Sequence, residues 1–304
     1  MAQPGQFDTG EFDLQDAREK AGPTPTELAV LAEVAALSHP GLKRPNNEDH
    51  YLVTRLRRSL EVLATNLPEQ YAPTRFEEAG FALAVADGMG GAEAGEVASA
   101  LALSVGTALT VSEPTWHLRL DEAEADRLVE RVRRYFQRIH RAVVDRAQST
   151  PALSGMGTTL TTAYSVGLDL FVFHVGDSRA YLWRGGRLQQ ITRDQTVAQA
   201  LADAGQITPE EVQSHRFRHV LTHAIGSDDP ELNASIARAR LSDGDRLLVC
   251  TDGLTDMVDD ARITEALGNA PNAEAACRAL VDLALAGGGR DNVTVVVAFY
   301  AAST

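Results

Sequence analysis

The chain has 304 residues, 44% of them hydrophobic and 23% charged, with 42 acidic against 28 basic side chains and a formal net charge of -14. That composition supports a packed globular core, and the acid excess argues against nonspecific attachment to nucleic acid or to an anionic membrane surface. The two cysteines, Cys250 and Cys277, make neither a disulfide framework nor a zinc cluster, so a reducing, cytoplasmic setting is expected.

Residues 1–26 mix acids with Pro4, Gly5, Gly10, Gly22, Pro23 and Pro25, and read as a flexible tail. Met1 to Glu11 has no basic stretch and no apolar core, so no secretory signal is read there. No run of about 18 apolar residues is read further on, so no membrane span is expected. A single domain is expected over 27–304. Within it, 55–80 reads as an insertion or long loop, because Arg57-Arg58, Pro68 and Pro73 fall between two strand-like runs.

Two long helices follow. Val97, Leu101, Val105 and Leu109 lie four apart on one face. Asp121, with Glu124 three residues on, caps the next helix, whose stripe is Leu128, Val132, Phe136, Ile139 and Val143. Arg131, Arg133, Arg134 and Arg138 are assigned to its solvated face. Beyond residue 157 strands dominate: 159–166 and 170–175 about one turn, 180–183 and 188–191 about Gly185-Gly186, then 246–251 and 293–299. Between them lies a helical excursion over 192–230, where Thr208-Pro209-Glu210-Glu211 opens a helix. Residues 261–267 and 273–285 read as late helices. Hairpins with helices inserted in blocks predict an α+β fold.

Four acidic clusters stand at strand ends: Arg44 to Asp49, Asp87-Gly88 after the apolar run 81–85, Asp252 to Asp256 after 247–250, and Asp291-Asn292 before 293–297. A carboxylate ending a buried strand is held rigidly at a cleft, and a following glycine lets a backbone carbonyl approach an ion. Hard divalent cations take such oxygen ligands. Each cluster alone reads better as a turn, since Asp-Gly is a frequent turn dipeptide. Their order and strand context together favour a metal site.

Six motifs carry a resemblance: Gly41-Leu42-Lys43-Arg44-Pro45-Asn46-Asn47-Glu48-Asp49, Ala86-Asp87-Gly88-Met89-Gly90-Gly91, Gly155-Met156-Gly157-Thr158-Thr159-Leu160, Gly176-Asp177-Ser178-Arg179, Asp252-Gly253-Leu254-Thr255-Asp256 and Arg290-Asp291-Asn292-Val293-Thr294. In this order they resemble the PPM family, the type-2C metal-dependent Ser/Thr protein phosphatases, in its bacterial form, from about Leu28 to Tyr300. The resemblance implies a central β-sandwich of two antiparallel sheets flanked by helices, α-β-β-α. It implies two divalent cations, Mn2+ or Mg2+, with Asp87 bridging them, the Gly88 carbonyl on one, and Asp252 and Asp291 on the other. Glu48 and Asp49 hold metal-bound water or metal, and Arg44 grips the substrate phosphate. The implied reaction is attack of a metal-activated water on phosphoserine or phosphothreonine in proteins, a cognate Ser/Thr kinase among them. It also implies a mobile flap over 192–230.

Departures from the family pattern sharpen this reading. Met89 stands where some relatives have a histidine, and cannot donate a proton to the leaving group. Asp177 is read as structural, His174 as a core histidine and His50 as a surface strand residue. Asp256 is expected to hold a third cation weakly, because Thr150 to Ser154 contains no carboxylate. Two rival readings stand beside this one. A two-metal nuclease is disfavoured by the acidic balance. A catalytically dead phosphatase fold is disfavoured because Asp87, Asp252 and Asp291 are all present.

Overall fold

The apolar runs read from the sequence pair into two antiparallel sheets. The computed structural model describes residues 30–68, 75–90, 94–113, 122–229, 232 and 234–302. The expected tail and the Asp121 cap lie outside them. One sheet orders β1 (Val30–His39), β11 (Val293–Ala302), β10 (Arg246–Cys250), β7 (Arg179–Arg184) and β8 (Arg187–Gln190). The other orders β2 (Asp49–Glu61), β3 (Arg75–Met89), β5 (Leu160–Val166), β6 (Asp169–Val175) and β9 (Ser235–Arg240), with the two-residue β4 (Gly157–Thr158) on the end of β3. The helices α1 (Ala94–Val111) and α2 (Glu122–Ser149) cover the second sheet. Shorter ones follow: α3 (Val197–Asp203), α4 (Asp252–Thr255), α5 (Asp260–Asn269) and α6 (Ala273–Ala286), the last two on the first sheet. This is the expected α-β-β-α sandwich.

The unbroken apolar runs have a direct cause. In β10, Leu247 and Val249 face the inter-sheet core, while Leu248 and Cys250 face α5 and α6. In β11, Val296, Ala298 and Tyr300 point inward, and Val293, Val295 and Val297 outward under the helices. Both faces of each strand are buried, so alternation is lost.

Three expectations are corrected. The segment 55–80 is strand at both ends, with 62–68 irregular: β2 and β3 pair continuously from Asp49 opposite Asp87 to Glu61 opposite Arg75. β2 lies at the edge of its sheet, so its outer positions carry polar residues and hide the strand. Second, α1 is long and apolar enough to cross a membrane, 18 residues at mean hydropathy 1.4. Its Ala98 and Ala102 are fully buried against the sheet, while Val97, Leu101 and Val105 pack along the flank. Third, Arg131 is not on a solvated face; it is half-buried, 3.6 Å from Glu113. Strands β1 and β9 were not read from the sequence.

Candidate metal and phosphate site

The register of β2 against β3 sets Asp49 directly opposite Asp87 at one end of the sandwich. The backbone around Asp87 is fixed on both sides. Its carbonyl accepts from Thr159 N at 2.9 Å and Thr158 Oγ1 at 2.8 Å, and its N–H donates to Thr159 Oγ1 at 3.0 Å. Thr159 Oγ1 is braced in turn by Ser178 Oγ at 2.7 Å. Gly88 N–H donates to the Glu48 carbonyl at 3.2 Å. A Cβ on Gly88 would lie 2.1 Å from the Gly95 carbonyl oxygen, so only glycine permits α1 to abut this strand end. The Glu48 carboxylate packs over Gly95 in the first turn of α1, where the helix dipole favours negative charge.

The other sheet supplies the facing half. Asp252 follows β10 and opens α4; Asp291 precedes β11. Thr251 Oγ1, fully buried, donates to Asp49 Oδ2 at 2.8 Å and accepts from Thr294 N–H at 3.0 Å, tying the two sheets together beneath the cleft. Asn292 is a hub that sequence reasoning left without a role. Its Oδ1 accepts from Glu48 N–H at 2.8 Å, and its Nδ2 donates to the carbonyls of Pro40 and Asn46 at 3.0 and 2.8 Å. It locks the loop carrying Arg44 and Glu48 onto the strand carrying Asp291. Arg44 Nη2 donates to Asp291 Oδ2 at 2.6 Å, and the Arg44 side chain is 55% exposed, so it reaches the cleft mouth.

These groups line one cleft of about 510 Å³, with Arg44, Glu48, Asp87, Gly88, Asp252, Asp256 and Asp291 on its walls. Asp49 lies beneath, 4% exposed, and its Oδ1 is buried with no hydrogen-bond partner. Burial pushes the Asp49 carboxyl up to about 7, against the Thr251 and Thr294 hydrogen bonds that stabilise its charge, with Asp252 and Asp291 raising it further. Asp87 is raised well above the usual carboxylate range by burial, then by Asp49, Asp252, Asp177 and Asp291. Burial raises Glu48 as well, opposed by Arg44. Carboxylates packed this closely call for a cation among them. A second cavity, about 360 Å³ between α1, α2 and the sheet, has an almost wholly apolar lining, including Leu52, Leu56, Phe136 and Phe173. It offers nothing comparable for cation binding.

The segment 192–229 borders the cleft, with His219 and Leu221 on its wall. Its Thr208 forms the expected capping box with Glu211, but the element it opens is only the 3-10 turn Pro209–Ser214. Isolated bridges join Thr196 to Leu221 and Thr158 to Ile225. His219 was missed from the sequence. Its Nδ1 lies 3.6 Å from Asp252 and its Nε2 3.2 Å from Asp256. The Asp252 carboxylate, with Asp256, holds its imidazole above the ordinary value. Asp177, read from the sequence as structural, lies on the cleft wall, 8% exposed, and one oxygen from it, one from Asp252 and a ring nitrogen of His219 lie within 4.8 Å of one another. His50 is no surface residue either: it is half-buried, with Nδ1 2.9 Å from Ser99 Oγ. His174 is buried as expected, with Nδ1 2.8 Å from Thr161 Oγ1.

A family model described as "Protein phosphatase 2C" matches residues 63–283. The chain belongs to the protein phosphatase 2C family. Among members of that family it is 32% identical over 275 residues to protein phosphatase PhpP of Streptococcus pneumoniae, covering 87% of this chain and 96% of the relative. It is 42% identical over 273 residues to serine/threonine protein phosphatase PstP of Mycobacterium tuberculosis, covering 89% of this chain but 45% of the relative, so it spans under half the length of that protein. The catalytic domain of PstP, solved in complex with two manganese ions, superposes with TM-score 0.69 at 37% identity, over 90% of this chain and 100% of that one. Stp1 of Staphylococcus aureus, a serine/threonine phosphatase, gives TM-score 0.73 at 29% identity, over 91% and 98%.

Proposed function

We propose that this chain hydrolyses phosphoserine and phosphothreonine in proteins at a site for two divalent cations, Mn2+ or Mg2+. The observation that carries this reading is the set of facing carboxylates, with the buried Asp49 Oδ1 lacking any partner. An all-oxygen donor set of this kind fits hard divalent cations. In this reading Asp87, the Gly88 carbonyl, Asp252 and Asp291 would hold the two cations. Glu48 and Asp49 hold the surrounding waters or a cation directly, and Asp256 stands at the margin. When bound, the cations supply Lewis acidity and activate water as the nucleophile.

The rest is done by the chain. Thr251 orients Asp49, and Asn292 fixes the Arg44 loop. Arg44 leaves Asp291 to take two phosphate oxygens, a bidentate task suited to guanidinium, and neutralises their growing charge. Met89 lines the cleft and donates no proton. The segment 192–229 acts as a mobile flap that sorts protein substrates. The substrates include a cognate Ser/Thr kinase, and the setting is cytoplasmic. The names of the relatives support a phosphoprotein substrate, and Cys250 and Cys277, both buried free thiols, suit a reducing setting.

The experiment is phosphate release from a phosphothreonine peptide. Turnover in manganese that stops with chelator and returns with added metal is expected. No release at saturating manganese overturns the proposal.

A further inference from the structure

One stretch of the segment that borders the cleft, 215–223, carries charge of the opposite sign to the molecule, although 192–229 as a whole has six acids against three arginines. The chain has a net charge of -14, yet the nine residues from His215 to His223 contain Arg216, Arg218 and three histidines with no acid. This stretch touches the site. The Arg218 guanidinium lies 3.9 Å from Asp256, and His219 approaches the same carboxylate at 3.2 Å. Arg216 differs from both. It is exposed, its guanidinium lies 4.4 Å over the Phe217 ring, and among the described residues no carboxylate pairs with it. A guanidinium stacked on a ring is held in place without being neutralised, and it keeps its N–H donors for an outside anion.

The backbone beneath is ordered for display. Arg218 N–H donates to the His215 carbonyl and Val220 N–H to that of Phe217, both at 3.1 Å, while Phe217 N–H donates to His215 Nδ1 at 3.2 Å. The His215 ring stands edge-on to Phe217 at 5.5 Å. In the phosphatase reading Arg44 takes the scissile phosphate, and Arg216 and Arg218 stand beside His219 of the cleft wall.

We propose that Arg216 and Arg218 form a second anion subsite, which favours phosphoprotein segments carrying another negative group near the phosphoserine or phosphothreonine. This rests on the phosphatase reading above and names its substrate class. The anion is a carboxylate or a second phosphate, since guanidinium pairs with either in the same forked geometry.

The test measures kcat/KM in saturating manganese on an aryl phosphate and on three phosphothreonine peptides: neutral-flanked, glutamate-flanked and doubly phosphorylated. At least one anionic peptide should exceed the neutral one by about three- to tenfold, mainly through KM, with the advantage shrinking at high salt. Arg216→Gln should reduce that advantage and Arg216→Gln/Arg218→Gln should abolish it. Arg216→Gln alone should leave the aryl phosphate and the neutral peptide within about twofold of wild type, as expected for a rim charge remote from the reacting atoms. Arg216→Glu should turn the preference into discrimination against anions. A glutamate peptide as good as the doubly phosphorylated one assigns the subsite to carboxylates; an advantage for the second phosphate alone assigns it to phosphate. Equal rates on all three peptides, or equal losses on every substrate in Arg216→Gln, would overturn the subsite while leaving the hydrolase reading intact. Failure to turn over any of the four would overturn that reading, and the subsite with it.

Discussion

The floor and the rim of the cleft are built in different ways. The floor is made of strand ends. Asp49 and Asp87 oppose each other in register, Asp252 and Asp291 end or begin central strands, and Thr251 ties one sheet to the other. Residues more than two hundred positions apart are fixed there by short hydrogen bonds among fully buried groups. The rim, 192–229, is a seven-residue helix and a set of turns, joined to the body by isolated bridges and carrying exposed cations. Rigid backbone is needed where ions demand fixed geometry, whereas loops can vary to meet different partners. Chemistry should therefore fail when the floor is altered, and selection when the rim is.

The largest expected effect is on the floor. Asp87→Asn should lower turnover by about a thousandfold or more, since it removes a charge shared by both cation positions. The metal-free variant should melt no lower than wild type, because the mutual repulsion around Asp87 falls. Substantial activity in saturating manganese would break the contrast between floor and rim. Gly88→Ala tests the same floor sterically. Its Cβ would meet two backbone oxygens, that of Gly95 at 2.1 Å and that of Glu48 at 2.7 Å. A loss of about 3 kcal/mol in denaturant unfolding is expected, as neither oxygen can move alone.

A pH series on metal-free protein sharpens the comparison further. Asp49, Asp87 and Asp177 all have raised carboxyl pKa values in the fold, chiefly through burial. The folded state then holds more protons than the unfolded one above the ordinary carboxylate range. Stability from these groups is full below about pH 4 and falls as pH rises, with the Asp49 contribution lost through about 7. Manganese should raise Tm more at pH 8 than at pH 5, with proton release on binding. His174 acts in the opposite sense and belongs to the core. Burial lowers it to about 4, so its contribution is present above about 6.5 and is lost as pH falls from there to 4. A His174→Gln control separates the two. A manganese-induced Tm rise that does not depend on pH would remove the floor carboxylates from the account.

Arg44 stands between floor and rim, and its effect should be intermediate. Arg44→Ala should raise KM for phosphopeptide about tenfold and weaken inhibition by free phosphate, because a ground-state phosphate grip is lost. Arg44→Lys should rescue poorly, since an ammonium cannot pair two oxygens in a plane. If kcat alone falls while phosphate inhibition is unchanged, Arg44 is not the grip.

The floor was legible in the sequence because its chemistry restricts the residues. A carboxylate followed by glycine at the end of an apolar run has few substitutes, so Asp87-Gly88 and Asp252-Gly253 stood out as short motifs. The close approaches that require Gly88 and Gly253 come from other parts of the chain: Gly95 and Glu48 for one, the Asn292 carbonyl for the other. The hub role of Asn292 was hidden for the same reason, since its partners Pro40, Asn46 and Glu48 are remote in sequence. The rim was poorly legible. His219 and Asp177 meet only because the turn after β6 and the returning flap segment reach the same wall, and no local periodicity records that. The polar ends of β2 and β3 were read as loop because an edge strand does not need alternating apolar residues on both faces.

Asp256 gives the smallest expected effect, and it decides where the floor ends. From the sequence it is expected to be a weaker ligand than Asp252, and its surroundings agree. Asp252 is in the raised-charge network around Asp87, whereas Asp256 faces His219 at 3.2 Å and Arg218 at 3.9 Å. Burial and Asp252 raise its carboxyl, while those two cations oppose the rise. It therefore stands between the acidic floor and the basic stretch 215–223 of the rim. Asp256→Ala should cost activity about fivefold, against about a hundredfold or more for Asp252→Ala, if the floor depends on its directly facing carboxylates. The loss in Asp256→Ala should be recovered at high manganese and should grow on protein substrates, since the rim then lacks its anchor. Equal losses for the two variants, irrecoverable by metal, would place Asp256 on the floor and make His219, Asp177 and Asp256 parts of one cation site.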